Sequence, residues 1–267
     1  MQSTISSLVD VRRFPIHDLD GAGAPLLKEC RNALEESALC YLPNFLLTET
    51  LDAIRREILA AQALAYWIES DRTLYSWRDL SNLPTAHPAR VSSPHRLSSI
   101  TRDKFDEAAT LLSLFKCDEL TEFIRRALAT ESLNRVECPY LSMNVKVMGE
   151  SAQHGWHFDT NDGAVSLLVQ SARAGGEYQY VPYIRSDTHE NYEQIANIVG
   201  GDHRVVKQVD ITPGTLCIFK GSRSLHRVSP VSEGDPDRLI ALFAYDPKPG
   251  LVYNDRTLQT VLGTLPR

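Results

Sequence analysis

Seven short runs rich in β-branched and aromatic residues fill the second half of the chain, and their spacing constrains the fold more than any other feature. They span residues 141–148, 164–170, 177–181, 205–209, 215–219, 226–231 and 239–245. Gly175-Gly176, Pro213-Gly214 and Glu233-Gly234 punctuate them. Strands this short and this closely spaced cannot bury both faces alone, so they predict a sandwich or barrel. The first half has a helical period instead. Residues 25–36 place Leu26, Leu27, Cys30 and Leu34 on one side, and residues 38–45 then suggest a short strand. Thr48 opens a second helix expected to run to about Trp67, with further helices near 105–115 and 119–129. Residues 76–103 carry prolines and many serines without a sustained period, which predicts a long loop. Residues 183–205 suggest a polar, partly helical insertion between strands. The simplest organisation is one domain over 1–267. Residues 1–136 supply helical support and a substrate loop, 137–250 the β-core, and 251–267 a C-terminal tail.

Composition narrows the partners. A net charge of −6 and a pI near 5.8 argue against nucleic-acid phosphates or anionic lipid as the main partner. No run approaches the length and apolarity of a membrane span. The start MQSTISSLVDVRRF lacks a secretory pattern. The five cysteines are scattered and never in C-x-x-C spacing, so they are expected as buried thiols in a reducing cytoplasm.

The stretch HGWHFDTND, residues 154–162, concentrates metal-seeking side chains. On an extended backbone, His157 and Asp159 point one way while Trp156 and Phe158 point the other. One imidazole and one carboxylate then need a further ligand from another strand, and His226 in GSRSLHRVSPV is the candidate. Two histidines and one carboxylate on a single face characterise non-haem Fe(II) sites that leave positions open for a bidentate 2-oxo acid and for dioxygen. On the same alternation His154 should turn away from His157. Arg238, in DPDRLIALFAYDP, stands at the start of an apolar strand, where a buried guanidinium needs an anion. The distal carboxylate of 2-oxoglutarate would satisfy it.

These residues, in this order, resemble the motif of the 2-oxoglutarate/Fe(II)-dependent oxygenase superfamily: H-x-D, a distal His, then an Arg about a dozen residues later. The segments HFDTND, GGEYQYVPYIR, PGTLCIFKGSRSLHRVSPV and LIALFAYDPKPG are similar, more narrowly, to a subgroup of hydroxylases and radical halogenases acting on free amino acids. The resemblance implies a mainly β fold with N-terminal helices around a double-stranded β-helix, a jelly-roll or cupin-like core. It implies Fe(II), 2-oxoglutarate and O2 as cofactor and co-substrates. It also implies a small-molecule substrate, hydroxylated at an unactivated C–H with release of succinate and CO2. Halogenases of that subgroup have a small residue where the carboxylate ligand would stand. Asp159 occupies that position here, which favours hydroxylation.

Tyr140, Asn144 and Lys146 share one parity in YLSMNVKVMG. If that face lines the barrel, Asn144 and Tyr140 are candidates for 2-oxoglutarate. The alternative turns those polar residues outward and Met143, Val145 and Val147 inward. Trp77, Arg78 and Arg96, in the expected loop, are candidate substrate contacts, with an arginine pairing a substrate carboxylate. A peptide hydroxylase on the same fold and a non-catalytic β-barrel binding module are the alternative readings. Oligomeric state is not encoded in any feature of the sequence.

Overall fold

The structure, a computed structural model, describes residues 5–75 and 77–266. Its centre is a strongly curled antiparallel sheet, a half-barrel with a jelly-roll core flanked by helices. One wall runs in the order Leu39–Leu42, Leu216–Phe219, Ala164–Gln170, Arg238–Asp246, Met143–Met148, Ser92–Thr101. The other continues through Gln153–His157, Leu225–Val228, Tyr178–Val181 and Lys207–Val209. Ser92–Thr101 belongs to both walls. It pairs with Met143–Met148 through residues 98–101 and with Gln153–His157 through residues 95 and 96. The sheet folds over along this strand.

Burial on the central strands explains how the walls are used. Every residue of Met143–Met148 is buried, so both faces are covered. Met143, Val145 and Val147 join Val165, Leu167, Leu239, Ala241 and Phe243 in the main core, against helical residues such as Leu34, Ile54, Ile58, Leu112 and Phe123. Each such side chain removed from water contributes about 1.5–3 kcal/mol, which is what fixes the helices to this wall. Asn144 and Lys146 take the opposite face, with Ile240, Leu242 and Arg238 opposite or beside them on Arg238–Asp246. The first alternative therefore describes this strand: Asn144 and Lys146 face the barrel interior, and Met143, Val145 and Val147 face the helical layer rather than inward.

The helices Ala24–Ser37, Thr48–Ala61, Thr110–Phe115 and Asp118–Ala127 fall where the helical period places them: the first is one residue longer at each end, the second and fourth end earlier, and the third starts later. Three expectations need correction. The second helix stops at Ala61, and Tyr66–Thr73 is a strand. The expected loop 76–103 ends in the ten-residue strand Ser92–Thr101, paired along most of its length with Tyr66–Thr73. Both strands escape a hydrophobicity pattern because polar residues, among them Ser70, Arg72, Ser93, His95 and Ser99, share their inward faces with Ile68 and Leu97. Finally, the expected tail contains the helix Asp255–Leu262, whose Leu258 and Leu262 pack with Val136, Cys138 and Leu141. All five cysteines are free and buried. Among the described residues, no helix is long and apolar enough to cross a membrane.

Candidate functional site

His157 ends the strand Gln153–His157 and is the direct cross-strand partner of His226 in Leu225–Val228. Their ring centroids are 4.1 Å apart. Asp159 follows His157 in the next turn, which is fixed at three points. Phe158 N donates to Leu74 O at 3.2 Å, Asp159 N to Gly221 O at 3.1 Å, and Ser222 N to the Asp162 carboxylate at 2.9 Å. The loop after Phe219 must approach closely, and Gly221 allows it: a Cβ there would lie 2.0 Å from Asp159 Oδ2.

Each ring is oriented from behind. His157 Nδ1 donates to Gly155 O at 2.8 Å and His226 Nδ1 to Ser224 O at 3.0 Å, since a carbonyl only accepts. That leaves both Nε2 atoms as free donors of a lone pair. His157 Nε2 stands 3.9 Å from one Asp159 oxygen, and His226 Nε2 3.6 Å from the other. One ligand atom from each of the three residues lies within 4.8 Å of the others. Facial ligands about 2 Å from an ion are about 3 Å apart, so a small inward movement closes the cage. Burial, with the nearby His226 ring, holds His157 down to about 3, and burial holds His226 to about 4. Burial raises Asp159 to about 6. Neutral imidazoles and a carboxylate short of counter-charge suit a divalent cation.

One cavity adjoins this triad and a second surrounds Arg238. The first, of about 220 Å³, is lined by His157 and Asp159 with Arg72, His95, Asn144, Lys146 and Trp77 among others. The second, of about 400 Å³, is lined by Arg238, Gly176 and Tyr178. Arg238 is buried, and its polar neighbour is Met148 Sδ at 3.8 Å. Burial depresses its guanidinium to about 10. Gly176, at φ +71°, makes room, because a Cβ would come 2.9 Å from Arg238 Cδ. Tyr178 connects the two regions, with its ring 6.1 Å from that of His226. Burial and then the Asp159 charge hold its hydroxyl protonated.

Residues 24–256 match the family model described as Halogenase D. The chain belongs to the Halogenase D family. Its fold is also that of solved 2-oxoglutarate/Fe(II) oxygenases. An oxidoreductase of the 2OG-Fe(II) oxygenase family from Burkholderia pseudomallei is 16% identical over 84% of this chain and 92% of that one, with a TM-score of 0.51. The α-ketoglutarate-dependent carbocyclase SnoK from nogalamycin biosynthesis is 15% identical over 84% and 87%, with a TM-score of 0.56. HygX from Streptomyces hygroscopicus, solved with nickel, 2-oxoglutarate and hygromycin B, is 12% identical over 83% and 87%, with a TM-score of 0.55. No curated protein matches the chain in sequence.

In this Halogenase D family member the remaining candidates divide. Asn144 and Trp77 line the triad cavity. Tyr140 does not; it packs against the cluster formed by Val136, Cys138, Leu141, Leu258 and Leu262. Arg78 pairs with Glu190 at 2.7 Å and lies over the Tyr75 ring. Arg96 points to the opposite side of its strand from His95 and pairs with Glu69 at 3.3 Å and Asp71 at 3.7 Å. Neither arginine lines the cavity, and both are already neutralised. Trp156 and Phe158 are buried in one apolar cluster, as expected of core residues, but Phe158 also lines the triad cavity. His154 departs from its expected direction. The register slips between His226 and Val228, which pair with His157 and His154, and this bulge turns His154 to within 4.2 Å of the His157 ring, beside His95. Arg72, Lys146 and His95 were not marked by any motif. A shared strand parity was the signal for Lys146, while Arg72 fell between the expected helix and the expected loop.

Proposed function

We propose that this protein is an Fe(II)/2-oxoglutarate-dependent dioxygenase that hydroxylates a small polar substrate, an amino acid or a derivative. The observation that carries this reading is the convergence of His157 Nε2, His226 Nε2 and the Asp159 carboxylate, with each imidazole pinned by its other nitrogen. The donor set fits ferrous iron: two neutral imidazoles and one carboxylate on one side, with an open cavity on the other. Iron bound there supplies dioxygen reduction and C–H oxidation, coupled to conversion of 2-oxoglutarate to succinate and CO2.

The chain's own residues do the rest. Gly155 O and Ser224 O set the imidazole tautomers and ring angles. Gly221 admits the carboxylate. Arg238, buried beside a cavity that Glu177 also lines but in no ion pair among the described residues, receives the 5-carboxylate of 2-oxoglutarate, and Asn144, whose Oδ1 is buried and unpaired, is placed to hydrogen-bond a molecule in the cavity. Asp159 fills the position that the related radical halogenases leave for chloride, which supports hydroxylation. A cavity of about 220 Å³ is below the range of about 300–1,000 Å³ that holds drug-sized ligands, and this favours a small metabolite over a folded or extended peptide.

The test is anaerobic reconstitution with Fe(II) and 2-oxoglutarate, followed by oxygen and an amino-acid panel, with products read by mass spectrometry. The reading requires iron-dependent succinate and a product heavier by one oxygen atom. Products lighter by two hydrogens would replace hydroxylation by desaturation or ring closure. Succinate formation without iron dependence would end the assignment.

A further inference from the structure

The segment GGEYQYVPYIR ends in Arg185, a nearly buried cation with 11% of its side chain exposed. Arg185 lines neither the triad cavity nor the cavity around Arg238. It stands behind the residues that carry the triad. Its Nε donates to Ser222 O at 2.7 Å, and its backbone N donates to Arg223 O at 3.3 Å. Two residues earlier, Tyr183 N donates to Ser224 Oγ at 3.1 Å. Residues 183–185 therefore run along residues 222–224 and hold them. That short stretch supports two of the three ligands. Gly221 O, immediately before it, receives Asp159 N, and Ser224 O receives His226 Nδ1.

The same guanidinium also meets the chain on the other side of Asp159. Its central carbon lies 4.6 Å from the Phe158 ring centroid, 5.5 Å from that of Tyr75 and 5.6 Å from that of Trp77. A cation within about 6 Å of an aromatic face is attracted to it. Phe158 precedes Asp159 and stacks on Tyr75 with centroids 5.4 Å apart. One side chain thus grips the loop that Asp159 N binds and the ring next to Asp159 in sequence. Asp159 needs this support more than its partners do. Each imidazole is aimed by a carbonyl at Nδ1. Among the described residues, the Asp159 carboxylate has no such anchor; its polar neighbours are the two Nε2 atoms. Its direction rests on the backbone of the turn.

A plainer role is also visible. Arg185 Nη1 pairs with Glu190 at 3.3 Å, and Glu190 pairs with Arg78 at 2.7 Å, a clasp between two outer segments. The two roles use different parts of the guanidinium. Nη1 serves the clasp, whereas Nε serves Ser222 O and the flat face serves the rings.

We propose that Arg185 is a positioning residue for the metal centre: by holding Ser222 O and the Phe158 ring together, it sets the direction of the Asp159 carboxylate. The inference rests on the ligand set of the oxygenase reading and extends it to a residue outside both cavities. Lysine at this position keeps the charge but lacks the planar fork that stacks and donates at once.

The test measures Fe(II) affinity by anaerobic calorimetry for the wild type, Arg185→Gln, Arg185→Lys and Glu190→Gln. Urea unfolding of each metal-free protein checks that it is folded. Arg185→Gln weakens Fe(II) binding about 10- to 100-fold, as loss of a residue that orients a metal ligand does. Arg185→Lys recovers part of that loss. Glu190→Gln breaks the clasp, leaves the contacts to Ser222 and Phe158, and binds iron as the wild type does. Wild-type affinity in folded Arg185→Gln or Arg185→Lys overturns the proposal. So does an equal loss in Glu190→Gln, which would make the clasp responsible. Should Arg185→Gln not fold, Arg185→Lys carries the test alone. The expected pattern of iron affinities without succinate from the wild type would sink the oxygenase reading and leave the positioning role standing.

Discussion

Lys146→Met should stabilise the metal-free protein near neutral pH and lose that advantage in alkali. Burial, with the Arg72 charge as second cause, pushes the Lys146 ammonium from 10.5 down to about 7. In the unfolded chain the amine stays protonated to about pH 10.4. Between these values the unfolded state binds one more proton than the native state, so this group's contribution to stability rises with pH across that window. The penalty is complete below pH 7. At about 1.36 kcal/mol per pH unit it is about 4 kcal/mol at pH 7 and about 1 kcal/mol at pH 10. Methionine removes the titration with nearly the same volume, but leaves Ser99 Oγ without its donor, a pH-independent cost of about 1–3 kcal/mol. The expected net gain is about 1–3 kcal/mol at pH 7, vanishing or reversing by pH 10. Urea unfolding of both proteins at each pH reads the difference directly. A mutational effect equal at the two pH values would refute the desolvated cation in the cavity.

Three further outcomes follow from the geometry. Gly221→Ala drives a Cβ against the Asp159 carboxylate. Calorimetry with Fe(II) should show affinity reduced about 10- to 100-fold, and unchanged affinity would remove Asp159 from the ligand set. Asp159→Gly should abolish the hydroxylated product in mass spectrometry; wild-type turnover in that variant is incompatible with the proposed centre. Arg238→Gln should weaken use of 2-oxoglutarate, raising the co-substrate's KM about 10- to 100-fold, the worth of a hydrogen-bonded ion pair. An unaltered value would place the co-substrate elsewhere.

The helices and the strands after residue 140 were legible because their signals are local. Apolar residues recur with the period of each element, and glycine or proline marks the ends. The same locality made His157 and Asp159 readable as a pair, since two residues separated by one share a strand face. Two strands were hidden, Tyr66–Thr73 and Ser92–Thr101. Their inner faces mix Ile68 and Leu97 with Arg72, His95 and serines, so the alternation that betrays a strand in a hydrophobic wall is missing.

By itself, then, the sequence determined a helix-supported β-fold, the candidate ligands His157, Asp159 and His226, and the exceptional place of Arg238, because these depend on residue type and short spacing. Only the tertiary structure decided which charges are satisfied. Arg78 and Arg96 find Glu190, Glu69 and Asp71, all brought to them by neighbouring segments, whereas Arg72 and Lys146 form no ion pair among the described residues. It also decided the direction of His154, through a bulge that no local pattern announces. Neutralisation and register are properties of pairs distant along the chain, and a pair exists only once the walls of the barrel have closed.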